Sequence, residues 1–216
     1  DRGIRGVVIK LTGDFCKVFV SDTDVYAGGG VLLSSLCSEL LRNELSGLEF
    51  AGGIPGSVGG GVYMNAGAYE GMLSDRIVYV EFIDENGDIH KLNKKDLDFG
   101  YRHSYFSGKS HIIVGCEFRL ERGERESISA LMKEYGRRRS EKQPLEMPSA
   151  GSTFKRPEGY FAGKLIQDSG LMGFRIGGAE VSEKHAGFVV NAGGATAHDV
   201  LMLIEHIKKT VYDKFG

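Results

Sequence analysis

The stretch Ala51–Asp75, AGGIPGSVGGGVYMNAGAYEGMLSD, decides how the rest of the chain is read. Eight of its 25 residues are glycine, and a single proline, Pro55, interrupts them. Such a run reads as neither a helix nor a central strand, because each glycine gives up backbone entropy, and Gly53-Ile54-Pro55-Gly56 has the composition of a tight turn. A backbone kept bare suits close approach to a ligand. Successive N–H groups make an anion-binding concavity, and a helix start at Ser57-Val58-Gly59-Gly60 adds its dipole, a combination that suits a diphosphate. The pattern is neither G-x-x-x-x-G-K-[ST] nor a G-x-G-x-x-G opening a helix after a strand, so P-loop and Rossmann readings both fail.

Outward from this stretch, composition narrows the classes. A chain of 216 residues with 41% hydrophobic residues fits one large domain or two small ones with a buried core. The net charge of −2 gives no basic footprint of the kind nucleic acid or an anionic membrane requires. No apolar run approaches the ~20 residues of a membrane span. Cys16, Cys37 and Cys116 are odd in number, far apart and without C-x-x-C spacing, which points to neither a disulfide framework nor a metal site. A reduced, cytoplasmic setting is the natural expectation, although a chain beginning at Asp1 leaves a leader on the gene product open.

Along the chain, Gly6–Lys10, Lys17–Val20 and Asp24–Ala27 read as short strands. Leu32, Leu33, Leu36, Leu40 and Leu41 then fall at helical spacing, with Gly47 placed to cap that helix. Ile77–Ile83 and Ile89–Leu92 flank Asp84-Glu85-Asn86-Gly87, whose Asn-Gly pair signals a hairpin, and a strand is expected over His111–Leu120. Ile128, Leu131, Met132 and Tyr135 mark one face of a helix over Glu126–Arg139, which opens a second domain at a boundary near Gly123. That domain holds a short helix near Gly163–Asp168, a strand at Gly187–Asn191 and a closing helix. Thr196 and Asp199 form the closing helix's capping box, and Val200, Leu203, Ile204, Ile207 and Val211 its buried face. The fold class expected is α+β, with domains at residues 1–122 and 123–216.

Four motifs in order carry a resemblance. They are GIPGSVGG with MNAGAYEG; Tyr101-Arg102-His103-Ser104; Pro148 through Pro157, PSAGSTFKRP; and Arg175-Ile176-Gly177-Gly178-Ala179 followed by Val181 through Phe188. Together they resemble the UDP-N-acetylenolpyruvoylglucosamine reductase family, also called UDP-N-acetylmuramate dehydrogenase, over essentially the whole chain. The resemblance implies an FAD-binding subdomain of the vanillyl-alcohol-oxidase/PCMH type followed by a smaller α+β substrate-binding domain. It also implies a first flavin-binding subdomain ahead of Asp1 and a segment with the catalytic glutamate beyond Gly216. Glu205, on the last helix, is not that glutamate. The chain resembles the family branch without the inserted tyrosine-bearing loop.

The implied reaction is NADPH- and FAD-dependent reduction of the enolpyruvyl ether of a UDP-sugar, in peptidoglycan precursor synthesis. The cofactor-binding residues implied are Gly53, Ile54, Pro55, Gly56, Ser57, Val58, Gly59 and Gly60, with Asn65, Ala66 and Gly67 lining the flavin. Hydride delivery to the terminal methylene leaves enolate-like charge, which calls for a cation and an acid. Arg102 matches the family's arginine, and its permanent planar charge suits a carboxylate or enolate oxygen; by itself it reads as a surface ion-pair residue. Ser152 matches the proton donor, with Arg102 or Lys155 to stabilise its alkoxide; the alternative is a turn cap. Tyr101, Lys142, Arg156 and His185 fall at substrate-contacting positions. Lys142 reads equally as a solvated helix end, Arg156 replaces an Asn of some members, and His185 reads also as a structural histidine. Tyr63 and Tyr69 are expected to pack.

No metal is expected, nor a nucleic-acid or membrane partner, and the chain is expected to be a monomer. Two other readings remain. A sugar oxidase of the same superfamily often tethers flavin through His or Cys, and Ala51–Asp75 contains neither. The other is a non-catalytic nucleotide-sugar-binding module.

Overall fold

The first β-branched runs that find partners are Val18–Ser21 (β1) and Asp24–Gly28 (β2), where Val25 and Ala27 point into a core and Tyr26 to the other face. The computed structural model describes residues 3–216; Asp1 and Arg2, with which the expected first domain begins, lie outside them. The strand expected over Gly6–Lys10 does not form. Val7, Val8 and Ile9 are 92%, 73% and 65% exposed, and β propensity is realised only against neighbouring strands.

Leu33–Arg42 (α1) buries Leu33, Leu36 and Leu40 of the stripe read from the sequence, together with Cys37; Leu32 caps the helix and is exposed, and Leu41 is half-buried. Its end is earlier than expected. Asn43 closes the helix by donating its N–H to Glu39 O, and Glu44 takes a left-handed φ of 56°, so Gly47 lies beyond the cap. Val58–Tyr63 (α2) follows, a six-residue helix inside the glycine-rich run, so that run does hold a helix despite its composition. Tertiary backbone contacts described below supply what helix propensity lacks.

Ile77–Ile83 (β3) and Ile89–Asn93 (β4) form the expected hairpin, with Gly87 N–H donating to Asp84 O. Ile112–Arg119 (β5) completes a sheet of order β1-β2-β5-β3-β4, antiparallel throughout. Val25, Leu36, Val58, Val62, Val80, Phe106 and Phe118 pack together beneath it at full burial. Each such side chain contributes about 1.5–3 kcal/mol by leaving water.

Arg125–Lys142 (α3) begins one residue before the helix read from the sequence and ends three after it. Two compact units divide inside it, Val7–Arg137 on the one hand and Arg138–Gly216 with residues 3–6 on the other, whereas the sequence put the boundary near Gly123. Met132 and Tyr135 pack on the first unit's core and Ile128 is buried beside Leu40 and Leu45, which keeps the helix's early turns there; Leu131, expected on the same face, is exposed.

In the second unit come Ser149–Ser152 (β6), Ala162–Asp168 (α4), Arg175–Ile176 (β7), Ala179–Val181 (β8), Phe188–Asn191 (β9) and Ala197–Phe215 (α5). The sheet order is β6-β9-β8-β7, antiparallel, so sequence reading missed three of its four strands. The Gly177-Gly178 pair explains the tight β7–β8 connection. Gly177 has φ 55°, and a Cβ on Gly178 would lie 2.3 Å from Ala195 N. The α5 capping box forms as read, Thr196 Oγ1 accepting from Asp199 N–H at 3.1 Å, and Leu203 and Ile207 are the buried centre of its apolar face.

Candidate active site

In the first unit the two glycine-rich turns face one cleft of about 630 Å³. Gly29 and Gly30 form one wall and Ser57, Gly59 and Gly60 another, with Lys10, Tyr63 and His111 among the remaining lining residues. Bare backbone is required at Gly29 and strongly favoured at Gly59. A Cβ on Gly29 would sit 2.1 Å from Ile113 O, and one on Gly59 would sit 3.0 Å from Gly29 O. The chain layers Ile113, Gly29 and Gly59 in direct backbone contact, and Gly59 N–H donates to Gly29 O at 2.8 Å.

That bond corrects part of the sequence reading. Val58 N–H donates to Val31 O at 2.7 Å and Gly60 N–H points to Ser57 Oγ at 3.4 Å, so the first donors of α2 serve the protein itself. The short helix is therefore a packing element, and the glycines open the cleft wall. Gly53, Ile54, Pro55 and Gly56 form the approach turn outside the cleft lining, and Val58 is buried under it. The Gly28-Gly29-Gly30 turn was not singled out from sequence. Its signal was there, three glycines between a strand and a helix.

A second constellation joins Asn65-Ala66-Gly67 to the Tyr-Arg motif. Asn65 is buried at φ 41°; its Nδ2 donates to Gly100 O at 3.0 Å and its Oδ1 accepts from Ser74 N–H at 3.1 Å. Arg102 Nη2 donates to Gly67 O at 2.9 Å, and the guanidinium lies 5.1 Å from the ring centre of Tyr101. Arg102 itself has φ 53°, a conformation that costs about 1–2 kcal/mol for a residue with a side chain. Ser104 Oγ, buried, donates to Tyr63 O at 2.7 Å and fixes the far end of the turn. Asn65→Ala would leave Ser74 N–H and Gly100 O without their side-chain partner. We expect a stability loss of about 2–3 kcal/mol in urea unfolding, whereas Tyr101→Phe should leave the unfolding midpoint within about 0.5 kcal/mol.

Tyr69 packs, as expected: its ring stacks on Tyr135 at 4.4 Å and its hydroxyl donates to Tyr135 O. Tyr63 accepts Gly108 N–H at its hydroxyl and also lines the cleft. Cys16, Cys37 and Cys116 are free. Burial, and then the Glu49 carboxylate, push the Cys37 thiol up to about 12, and burial raises Cys116, so neither is a thiolate nucleophile. The grouping of metal-ligand types found among the described residues, Asp84, Asp88 and His90, sits on the hairpin tip. There Asp84 accepts the N–H groups of Asn86 and Asp88 as an ordinary turn carboxylate.

In the second unit Ser152 ends β6 opposite Phe188, after a register irregularity and Gly151 at φ 87°. It is exposed. A Cβ on Gly187 would lie 3.5 Å from Ser152 Oγ and 3.0 Å from His185 Cε1, so Ser152 and His185 flank the same bare backbone. His185 Nδ1 accepts Gly187 N–H at 3.1 Å, which makes this a histidine with a structural partner on one nitrogen. Lys142 is exposed in the last turn of α3, and Arg156 is exposed with its guanidinium 4.7 Å from the ring centre of Phe161. Lys155, a candidate to support Ser152, lines an apolar groove of about 420 Å³ with Phe154, Ile207 and Tyr212. Glu205 is exposed and pairs with Lys208 at 2.9 Å.

Residues 143–216 match the UDP-N-acetylenolpyruvoylglucosamine reductase C-terminal domain, and residues 1–93 match a FAD binding domain. The enzyme of that name from Clostridium perfringens strain SM101 is 54% identical over 215 residues, covering 100% of this chain and 70% of its own length. The chain belongs to this reductase family. The Caldanaerobacter subterraneus subsp. tengcongensis family member is 51% identical over 216 residues, again over 100% of this chain and 71% of its own. The crystal structure of the Thermus caldophilus reductase superposes with a TM-score of 0.85 at 38% identity, covering 97% of this chain and 76% of that one. The family's FAD binding domain therefore contains both glycine turns of the cleft. Among the described residues no helix is long and apolar enough to cross a membrane.

Proposed function

We propose that this chain carries the reductive step named by its family: the enolpyruvyl ether of UDP-N-acetylglucosamine is reduced to UDP-N-acetylmuramate, with FAD as cofactor and NADPH as hydride donor. One observation carries the reading. The two glycine turns that fall within the FAD binding match wall one cleft of about 630 Å³, and a Cβ on Gly60 would meet only Ser57 Oγ, 3.7 Å away, and otherwise enter open space. Such a cradle fits a dinucleotide whose atoms must approach backbone. Gly29, Gly30, Ser57, Gly59 and Gly60 would hold it there, with the buried Asn65 fixing the Ala66-Gly67 turn nearby in sequence. FAD held there and reduced by NADPH would supply the hydride.

The chain's own groups then manage charge and proton. Hydride arrival at the terminal methylene leaves negative charge on the adjacent carbon and its carboxylate. Arg102, with one N–H spent on Gly67 O, directs the rest of a planar donor fork at that charge. Ser152 gives its hydroxyl proton to the adjacent carbon, completing a saturated lactyl ether. Tyr101 holds the guanidinium plane, and Lys142 and Arg156 are proposed to meet the substrate's anionic groups. His185 is proposed to shape the Ser152 loop through Gly187. We further propose a cytoplasmic monomer serving cell-wall synthesis, in keeping with three free thiols.

The test is the visible flavin absorbance of the full chain under anaerobic conditions. NADPH should bleach it and the enolpyruvyl sugar should restore it. A protein that takes up no FAD, or bleaches without recovery on substrate, overturns the reading.

A further inference from the structure

His111 immediately precedes β5 and lines the cleft between the glycine turns. Its side chain is only 10% exposed. The ring stacks on Phe82 with centroids 5.0 Å apart, and Tyr105 and Phe106 complete an aromatic enclosure at 6.1 and 6.5 Å. Nδ1 is buried 2.9 Å from Glu85 Oε2, within ion-pair range but outside hydrogen-bond geometry, and it has no hydrogen-bond partner among the described residues. Nδ1 faces Glu85, and Nε2 is the other nitrogen of a ring that lines the cleft.

The charge pattern of the lining gives this a direction. Lys10 and His111 are the lining residues able to carry positive charge, and none of those described is acidic. A concave, apolar-walled site with that pattern concentrates anions. We infer that His111, as an imidazolium backed by Glu85, binds the negatively charged dinucleotide in this cleft, so that its deprotonation weakens cofactor retention. The inference rests on the reading of the cleft as the FAD site.

The groups facing this ring are few. Asp84 and Glu85 come from the β3–β4 turn. His90 on β4 stacks on Phe82, its centroid 5.3 Å away, and pairs with Asp84 at 2.9 Å. Tyr105 lies under the Lys109 ammonium at 2.9 Å, and Lys10 and Tyr63 share the cleft. Burial would raise the Asp84 carboxyl, but the Asp88 N–H, His90 and the Asn86 N–H together bring it down to about 2, so it stays ionised. Histidine is the side-chain type whose charge ordinarily changes between about pH 5 and 8, whereas a diphosphate diester keeps its own there.

The experiment is FAD affinity of the full chain, read by quenching of flavin fluorescence, at several values from about pH 5 to 8. The wild-type dissociation constant should rise about tenfold as pH rises, the loss of one charge-assisted contact. His111→Gln should bind as the wild type does at the alkaline end and show no dependence on pH, while His90→Gln keeps the wild-type curve. Retention of the pH dependence in His111→Gln, or an equal loss of affinity at every pH, overturns the inference, since either marks a merely structural ring. Glu85→Gln, which leaves the ring in place, should move the curve to lower pH; an unmoved curve also overturns it. No FAD uptake at any pH overturns the cofactor reading and this inference with it, whereas uptake with a flat wild-type curve overturns this inference alone.

Discussion

Ser152→Ala in the full chain should still be bleached by NADPH, but recovery of the flavin colour on adding the enolpyruvyl sugar should slow by about 10²–10⁴. The asymmetry follows from where the hydroxyl acts: it has a proton to give only after hydride has reached the substrate. Its position supports such a role, since it is exposed at the end of β6 beside the bare Gly187 backbone, where a substrate carbon can approach. The substitution removes one oxygen from an exposed position and leaves the Thr153 N–H bond to Gly187 O in place, so stability should change by less than about 0.5 kcal/mol. Equal slowing of both half-reactions would show that Ser152 shapes the site rather than donating a proton. Ser152→Cys, a stronger acid of nearly the same shape, should recover part of the second half-reaction.

Arg102→Lys should lower kcat by about 10²–10³ with a smaller effect on KM, because a charge-stabilising donor acts mainly in the transition state. Lysine keeps the charge but loses the planar fork, one N–H of which Gly67 O holds and the rest of which is proposed to meet a carboxylate. Arg102 holds a left-handed backbone at φ 53°, as Asp22, Glu44 and Asp98 on the surface also do, so its conformation by itself marks a tight turn. An unchanged kcat in Arg102→Lys would reduce the residue to a structural tie between two loops. Arg102→Gly, which relaxes the backbone while deleting the guanidinium, separates the two contributions: it should match or exceed the wild type in stability and be the least active of the series.

Local signals served well where a single segment holds the whole cause. The Asp84–Gly87 turn closes through its own backbone and Asp84 side chain, and the Thr196–Asp199 box through two neighbouring groups. The α1 stripe needed only its 3.6-residue period. Where the cause lies in another segment, local reading failed. Val7, Val8 and Ile9 have strand composition yet no strand beside them. The α1 terminus depends on Asn43 and Glu44 rather than the nearest glycine. The β7–β8 hairpin was missed because two glycines there signal a turn without showing that Gly178 is wedged against Ala195.

The sequence by itself determined the family, the α+β class, the order of the motifs and the residue types that the chemistry requires, because those depend on identity and spacing along one chain. Tertiary structure alone decided what each of them touches. It put Gly29 against Ile113 O and Gly59 against Gly29 O, spent the α2 donors on the protein, tied Arg102 to Gly67, set Nδ1 of His185 on Gly187, and turned His111 into the cleft wall with Glu85 behind it. Most of these contacts join residues tens of positions apart, His185 with Gly187 and Gly60 with Ser57 being local exceptions. Backbone layering and side-chain hydrogen bonds of such range leave no period or local composition behind, so they become legible only when the chain is folded.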